Sequence, residues 1–246
     1  MRNIKLTIEY DGTNFYGWQK QPDKRTVQEE IETALSAILK EEVSINGAGR
    51  TDAGVHAIAQ VANFYTEKTI KCKELYMAIN SIIPKDITIL NVEDVDNEFH
   101  ARKSAKAKHY RYVINNSKIH SALNVNREYV FKYNIADDVM QMAANDLIGK
   151  HDFAAFKTAT CNVENTEREI YDISITRMGN RVIVDIIGNG FMHNMVRIII
   201  GTLLDIASGK LDACTIKNMF ETKDRTLGGQ TVPACGLYMV KVIYDW

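Results

Sequence analysis

Cysteine, proline and long hydrophobic runs are scarce in this sequence. Its 246 residues include four cysteines and three prolines. No two cysteines are spaced as C-x-x-C, and none has a histidine at the spacing of a zinc finger, so a disulfide scaffold and a structural zinc site are disfavoured. We interpret the cysteines, at positions 72, 161, 214 and 235, as small buried hydrophobic residues of a protein in a reducing cytosol.

Signals for membrane insertion are also missing. The N-terminus, MRNIKLTIEY, lacks the apolar core of a signal peptide. The longest apolar stretch, residues 191–207, is interrupted by His193, Asn194, Arg197 and Asp205, so it does not read as a membrane span. We therefore expect a cytoplasmic protein with no membrane partner.

The chain also lacks an excess of charge of either sign. Its formal net charge is −1, with 46% hydrophobic and 25% charged residues, which is typical of a globular protein. No overall positive field attracts an anionic partner, so nucleic-acid binding would depend on local basic patches.

Local sequence patterns predict where several helices, strands and turns begin and end. A capping box of Thr26 and Glu29 is expected before the first helix. Residues 41–47 are predicted to form a strand, and residues 135–149 a helix that ends at Gly149. A hairpin is expected to turn at Gly179–Asn180.

The order of these elements predicts an α+β fold with two similar halves. The first half follows the order β-α-β-β-α-β, and the second half repeats this order with extra loops. We expect two ferredoxin-like (split βαβ) units, at residues 1–105 and 106–246. Their mainly antiparallel sheets are expected to merge, with helices packed on one face and an active-site cleft between the halves.

The segment GAGRTDAGVHA, residues 47–57, carries the first candidate site. Asp52 stands where a dinucleotide-binding G-x-G-x-x-G loop has its third glycine, and a strand rather than a helix follows, so that type of phosphate loop is disfavoured. An aspartate between glycines often bonds its own backbone in a turn, and this structural role remains an alternative for Asp52.

Arg197 is the second candidate, because its predicted helix is apolar nearly all round. An unpaired guanidinium in a protein interior costs several kcal/mol, so this residue needs a carboxylate or must reach water. Asp52 is a suitable partner, and Asp185 is a competitor. Pairing would keep the carboxylate ionised below its reference pKa of about 3.9, which suits a nucleophile or a base. A purely structural ion pair stays open. None of the helical neighbours of Arg197 is acidic: His193, Asn194, Ile200 and Gly201.

The third candidate is a stretch without acids, from Phe99 to Arg127. It contains seven lysines and arginines and three histidines. If this region forms a strand through residues 108–114, Lys106, Lys108, Tyr110 and Tyr112 share one face, where phosphates and a stacked base would bind. The alternative is an edge strand kept basic against aggregation. For the aromatic segment NFYGWQKQ, packing in the core and contact with RNA both remain alternatives. The candidates for RNA-backbone contact are Lys20, Arg25, Arg102, Lys106, Lys108 and Arg111.

Other common kinds of site have no motif in this sequence. The histidine spacings H-x-x-x-H and H-x-E are absent, as are the deaminase pattern and the G-x-S-x-G elbow of serine hydrolases. We therefore expect neither a metal nor a serine nucleophile. His56 and His193 are interpreted as structural histidines.

Four blocks resemble the TruA family of tRNA pseudouridine synthases: GAGRTDAGVHA, FHARKSAKAKHYRYVI, GNGFMHNMVRIIIGTLL and RTLGGQTVPACGLYM. The resemblance covers essentially the whole chain, in order. It implies an enzyme that isomerises uridines at positions 38, 39 and 40 of the tRNA anticodon stem-loop, as a homodimer and without cofactor or metal. It also implies that Asp52 is catalytic, that Arg197 pairs with it, that Tyr110 stacks on the target uracil, and that Arg50 helps to displace that base.

The resemblance leaves some points open. Lys103 stands where the family often has an aromatic residue, and GGQTVPACG varies on the usual A-G-P-T-A-P-A-x-G, which leaves substrate preference uncertain rather than reaction type. Asp52 would either attack C1′ of the ribose or remove its C2′ proton. The alternatives from other classes are a catalytically inactive RNA-binding module and a nucleotide-binding enzyme that uses the glycine loop.

Overall fold

The computed structural model describes residues 1–158 and 163–245 as two compact units. The first comprises Met1–Lys106 and Tyr238–Trp246, and the second Ala107–Leu237. Within the described residues the chain has five α-helices and ten strands, mostly in antiparallel pairs, which confirms the predicted α+β class. The predicted halves, 1–105 and 106–246, follow chain order and stay a prediction.

The first unit confirms the order β-α-β-β-α-β. Its strands lie in the order β4-β1-β3-β10, with β2 paired to β3. The pairing is antiparallel except between β10 and β3, where Tyr238 lies opposite His56 in parallel register. The elements are β1 (Arg2–Tyr10), α1 (Val27–Leu39), β2 (Asn46–Gly47), β3 (His56–Thr66), α2 (Cys72–Ile82), β4 (Ile87–Val95) and most of β10 (Leu237–Ile243).

The start of α1 differs from the predicted capping box. Thr26 is the N-cap residue, but its side chain makes no capping bond, and its buried hydroxyl has no hydrogen-bond partner among the described residues. Main-chain carbonyls take over this function, because the N–H groups of Val27 and Gln28 donate to the carbonyls of Gly17 and Trp18 at 3.2 and 3.0 Å. The loop before α1 is therefore attached to the first turn of the helix.

The second unit has the strand order β5-β9-β8-β7, with β6 parallel to β5. The predicted hairpin is confirmed, since Gly179, with φ +61°, and Asn180 connect β8 to β9. The elements are β5 (Ala107–Asn115), β6 (Tyr129–Val130), α3 (Asp137–Asn145), β7 (Gly149–Asp152), β8 (Glu167–Met178), β9 (Arg181–Gly188), α4 (Met195–Ala207) and α5 (Thr215–Thr222).

Two local predictions were too long. The strand expected over residues 41–47 is limited to β2, and the helix expected to reach Gly149 ends at Asn145. Gly149 has φ +105°, which a continuing helix does not allow, and it begins β7 instead.

Helix α4 is the most deeply buried helix of the second unit. Twelve of its thirteen residues are buried, and the exception is Arg197. No helix in the described part of the chain is long and apolar enough to cross a membrane.

The cysteines differ in part from the prediction of buried residues. Cys72 and Cys235 are half-buried, whereas Cys214 is exposed, so the prediction is wrong for Cys214. All three are free thiols. Cys161 lies outside the described residues.

Candidate active site

The segment from Gly47 to Ala57, called the aspartate loop below, connects β2 to β3 in the first unit. The main-chain N–H of Val55 donates to the carbonyl of Asp52 at 3.1 Å, and Gly54 has φ +78°, so residues 52–55 form a tight turn. Asp52 is half-buried at the start of this turn and Arg50 is exposed. The two candidate residues of this unit therefore lie at the accessible side of one loop.

The segment Asp11–Trp18 packs against the backbone of the aspartate loop. A Cβ on Gly17, where φ is +91°, would lie 2.5 Å from the carbonyl oxygen of Thr51 and 3.1 Å from the carbonyl carbon of Asp52. The N–H of Trp18 donates to the same Thr51 oxygen at 3.0 Å. Sequence reasoning left the segment NFYGWQKQ undecided. Its glycine at position 17 is required because two backbones approach more closely than a side chain allows.

Buried polar side chains hold the other side of the aspartate loop. The hydroxyls of Tyr10 and Thr51 are hydrogen-bonded at 2.7 Å. The side-chain amide of Gln60 donates to the carbonyl of Gly49 at 2.9 Å. Sequence reasoning missed Tyr10 and Gln60. The available signal was a glutamine in the middle of the apolar strand AIAQVANFY.

His56 has the structural environment expected for it. Its Nδ1 accepts the main-chain N–H of Gly12 at 3.0 Å, and its ring stacks on Tyr238 with the ring centroids 4.7 Å apart. The same nitrogen lies 3.2 Å from a carboxylate oxygen of Asp11. The imidazole therefore links the end of the aspartate loop to the segment that packs on it.

Arg197 lies in the first turn of α4 in the second unit. Its Nε donates to the carbonyl of Val232 and one Nη to the side-chain oxygen of Asn194, both at 2.7 Å. The N–H of Val232 donates back to the carbonyl of Arg197 at 3.4 Å. These two acceptors are neutral and use two of the five donors of the guanidinium. A cation in the first turn of a helix opposes the macrodipole, so this position does not serve helix stability.

The segment Gly228–Gly236 packs between α4 and β5 and contacts both. The hydroxyl of Tyr112, on β5, donates to the carbonyl of Pro233 at 2.7 Å. On the other side, a Cβ on Gly201 of α4 would lie 1.8 Å from the carbonyl oxygen of Gln230. The segment therefore fixes Arg197 relative to the strand that carries Tyr110. Sequence reasoning assigned it no role.

Tyr110 lies in the same unit as Arg197, on the buried face of β5. It is 7% exposed, and its ring meets the ring of Phe191 edge-on at 82°, with centroids 5.2 Å apart. The predicted shared face includes Tyr112, which is fully buried, and Lys108, which is half-buried. The tyrosines therefore contact the core along most of this strand.

Asp185, the predicted competitor for Arg197, is held by two other cations. It bonds to His109, and Arg111 makes a two-pronged contact with it at 2.9 and 3.1 Å. Burial raises the pKa of this carboxyl, but the bonds from His109 and Arg111 outweigh burial and hold the pKa below its usual value of 3.8. Asp185 is therefore already charge-compensated within the second unit.

The candidates for RNA-backbone contact fall into two groups. Arg25 makes two bonds to Asp86, at 2.7 and 2.9 Å, and one to Glu30 at 2.7 Å, so it holds carboxylates in the folded chain as Arg111 does. Lys20 is exposed and lies 3.8 Å from Glu29. The other three are the exposed Arg102 and Lys106 and the half-buried Lys108.

Asp52 and Arg50 thus belong to the first unit, and Arg197 and Tyr110 to the second, so the pairing of Asp52 with Arg197 stays a prediction. Among the described residues, no group of three or more histidine, cysteine, aspartate or glutamate side chains has the arrangement of a metal site.

The chain is similar to known proteins over nearly its full length. A family model described as tRNA pseudouridine synthase matches residues 6–102 and 143–245. A protein named tRNA pseudouridine synthase A from Acetivibrio thermocellus is 46% identical over 244 residues, covering 99% of this chain and 100% of the relative. The protein of the same name from Ruminiclostridium cellulolyticum is 47% identical over 245 residues, with the same coverage.

A solved structure, a Cbf5–Nop10–Gar1 complex, matches with a TM-score of 0.40 and 11% identity, covering 96% of this chain and 57% of that one. The assignment to a family rests on the family model and the two relatives, because each of them spans most of the chain. The solved structure is not needed for it. They confirm the resemblance carried by GAGRTDAGVHA, and this chain belongs to the TruA family of tRNA pseudouridine synthases.

Proposed function

We propose that this enzyme converts uridines at positions 38, 39 and 40 of the tRNA anticodon stem-loop to pseudouridine, with Asp52 as the catalytic carboxylate. The observation that carries the proposal is the anchoring of the aspartate loop. Gly49 and Thr51 are hydrogen-bonded to buried side chains, while Arg50 is exposed and Asp52 half-buried. A loop held in this way presents a carboxylate at a fixed position on an accessible surface.

The reaction itself defines what the site must do. The C1′–N1 bond breaks, the uracil turns, and a bond forms between C1′ and C5 of the same base. C5 loses its proton and N1 gains one, so the isomerisation involves no net oxidation or reduction and needs no redox cofactor. The detached uracil must not escape, which requires that water be excluded from the site.

An ionised carboxylate serves either route that Asp52 would take, attack on C1′ or removal of the C2′ proton. We propose that Arg197 keeps it ionised by pairing with it in a nearly dry pocket. Two features support this partner. Asp185 is held by His109 and Arg111, and Arg197 lies at the helix end where the macrodipole favours an anion.

The remaining candidates bind and orient the RNA in this proposal. Flipping a uridine out of its stack costs a few kcal/mol, which stacking on Tyr110 and contacts from Arg50 would offset. Lys20, Arg102, Lys106 and Lys108 would contact phosphates, so affinity should fall as salt rises. Arg25 and Arg111 are weaker candidates, because they hold carboxylates. The enzyme would act in the cytoplasm as a homodimer, without a metal.

The test is the Asp52→Asn variant, assayed by tritium release from tRNA that contains 5-tritiated uridine. Loss of the carboxylate should reduce the rate by at least about 1000-fold, as is typical of a group that acts on the reacting atoms, while tRNA affinity and melting temperature stay unchanged. Asp212→Asn, at an exposed position of the second unit, is the matched control and should be fully active.

Near-normal tritium release by Asp52→Asn would contradict the assignment. A wild-type protein that binds tRNA and releases no tritium would instead be an RNA-binding module. A thermal shift with NAD or ATP, and none with tRNA, would favour a nucleotide-binding enzyme.

A further inference from the structure

Three polar side chains are buried at the base of the aspartate loop, and one of them, Thr51, belongs to the loop itself. Gln60 of β3 is 0% exposed, Tyr10 at the end of β1 is 3% exposed, and Thr51 is 7% exposed. In the sheet, Gln60 lies opposite Ile8, which is also fully buried. Burying hydroxyl and amide groups is unfavourable unless each is hydrogen-bonded. Their presence here therefore depends on the bonds that they make.

These bonds hold the loop at two residues. Gln60 donates from its side-chain amide to the carbonyl of Gly49 at 2.9 Å, and its own oxygen accepts the N–H of Val61 at 3.1 Å, which fixes the orientation of the amide. The Tyr10 hydroxyl bonds to the Thr51 hydroxyl at 2.7 Å. Burial raises the pKa of Tyr10 far above its usual value of 10.0, so the phenol keeps its proton.

The two anchored residues enclose Arg50, and Thr51 directly precedes Asp52. The main-chain carbonyl of Thr51 is also held, by the N–H of Trp18 at 3.0 Å. Loss of the Tyr10–Thr51 bond weakens the hold on the residue next to Asp52, and loss of the Gln60–Gly49 bond weakens it at the residue next to Arg50. A displacement of about 1 Å at a reacting group costs on the order of 100-fold in rate.

We propose that Tyr10, Thr51 and Gln60 are positioning residues, which act through the backbone of the aspartate loop to fix Asp52 and Arg50 against the target nucleotide. The proposal rests on the function proposed above for Asp52. It assigns these residues an effect on turnover rather than on tRNA binding, because their side chains are buried.

The test separates positioning from simple stabilisation with a double-mutant cycle of Tyr10→Phe and Thr51→Val. Tyr10→Phe leaves the Thr51 hydroxyl without this partner, whereas Thr51→Val leaves the Tyr10 hydroxyl with Gln60 as its remaining partner. The double variant removes both hydroxyls, so its loss of stability should be smaller than the sum of the two single losses. We expect each single variant to lose about 10- to 100-fold in kcat, with KM for tRNA within about twofold of the wild type. The double variant should have a higher melting temperature than the sum of the two single losses predicts, and it should keep the low kcat.

Three further variants complete the design. Thr51→Ser keeps the hydroxyl and should restore most of the activity. Gln60→Leu removes the bond to Gly49 and should lower kcat in the same way. Tyr244→Phe is the matched control, because it removes a tyrosine hydroxyl that donates to Ala101 at 2.8 Å in the same unit, and it should leave kcat unchanged.

Recovery of kcat together with melting temperature in the double variant would overturn the proposal, since the bond would then only stabilise the fold. Wild-type kcat in Tyr10→Phe and Thr51→Val, with Asp52→Asn inactive, would also overturn it and leave the proposed function intact. An active Asp52→Asn would instead contradict the proposed function itself.

Discussion

Asp52 and Arg197 are held in place by different means. Asp52 lies on a loop that is fixed by a few contacts, from the backbone of Gly17 and from the side chains of Tyr10 and Gln60. Arg197 extends from a helix whose other twelve residues are buried, so its position follows from the packing of a core. Substitutions around the aspartate loop should therefore affect activity more than stability, and substitutions around α4 the reverse.

The largest effect on activity is expected from Gly17→Ala, which tests the aspartate-loop side of this comparison. The new Cβ would lie 2.5 Å from the carbonyl oxygen of Thr51, so the aspartate loop must move. We expect a loss of about 100- to 1000-fold in kcat, measured by tritium release, because displacement of the carboxylate by an ångström is enough for such a loss.

Gly209→Ala is the control for Gly17→Ala. Gly209 also has a positive φ, of +77°, but nothing lies within 4 Å of the added Cβ. It should lose about 1 kcal/mol of stability from backbone strain and keep its activity. An equal loss of activity in both variants would show that strain, rather than displacement of the loop, is responsible.

The second effect is expected at α4, in Gly201→Ala. The Cβ would lie 1.8 Å from the carbonyl oxygen of Gln230. That oxygen belongs to the backbone and Gly201 is buried in α4, so neither can move easily to relieve the clash. We expect the free energy of unfolding to fall by about 3 kcal/mol, measured by urea denaturation. Gly190→Ala is the control, because its Cβ would meet Arg168 only at 4.0 Å. Unchanged stability in Gly201→Ala would mean that the core does not fix this helix.

The same contrast explains how much of the molecule was predictable. The order of elements in the first half and the hairpin at Gly179–Asn180 follow from local patterns, and the structure has both. The capping box at Thr26 was wrong, because the carbonyls of Gly17 and Trp18 satisfy the helix start. These contacts run from the helix start back across the loop that precedes it, and the pattern of a capping box does not encode them.

The candidate site shows the same limit. Asp52 and Arg197 attract attention in the sequence because a carboxylate between glycines and a cation in an apolar helix are both unusual. Tyr10 ends a strand of ordinary alternation, and Gln60 is unusual only as a glutamine within an apolar strand. Their role in holding the aspartate loop appears when β1 and β3 are placed side by side. The pairing of Asp52 with Arg197 stays a prediction.

The third effect concerns the guanidinium group of Arg197 rather than the position of α4. Arg197→Lys keeps the charge and loses the planar fork that bonds to Val232 and Asn194. We expect kcat to fall by about 10- to 100-fold and stability by about 1 kcal/mol.

Arg181→Lys is the control for Arg197→Lys. It makes the same exchange at a contact with Glu128, at 3.0 Å, and should leave kcat unchanged. If Arg197→Lys also kept its rate and its melting temperature, the pairing argument would be wrong.

The smallest effect is expected from Asp185→Asn, which shows which acid belongs to Arg197. The pKa of Asp185 is lowered in the folded chain, so its contacts with His109 and Arg111 stabilise the fold above the unfolded value of 3.8 and lose this effect as pH falls further. Arg111 is 37% exposed, so solvent screens the contact. We expect the variant to be less stable by about 1 kcal/mol at pH 6, with a difference that shrinks as pH falls below 3.8, measured by urea denaturation. Its tritium release should stay within about threefold of the wild type, because Arg111 rather than Arg197 holds this carboxylate. A loss of activity as large as that of Asp52→Asn would mean that Arg197 pairs with Asp185 and not with Asp52. Asp185 and Arg197 would then both be positioned by the core of the second unit.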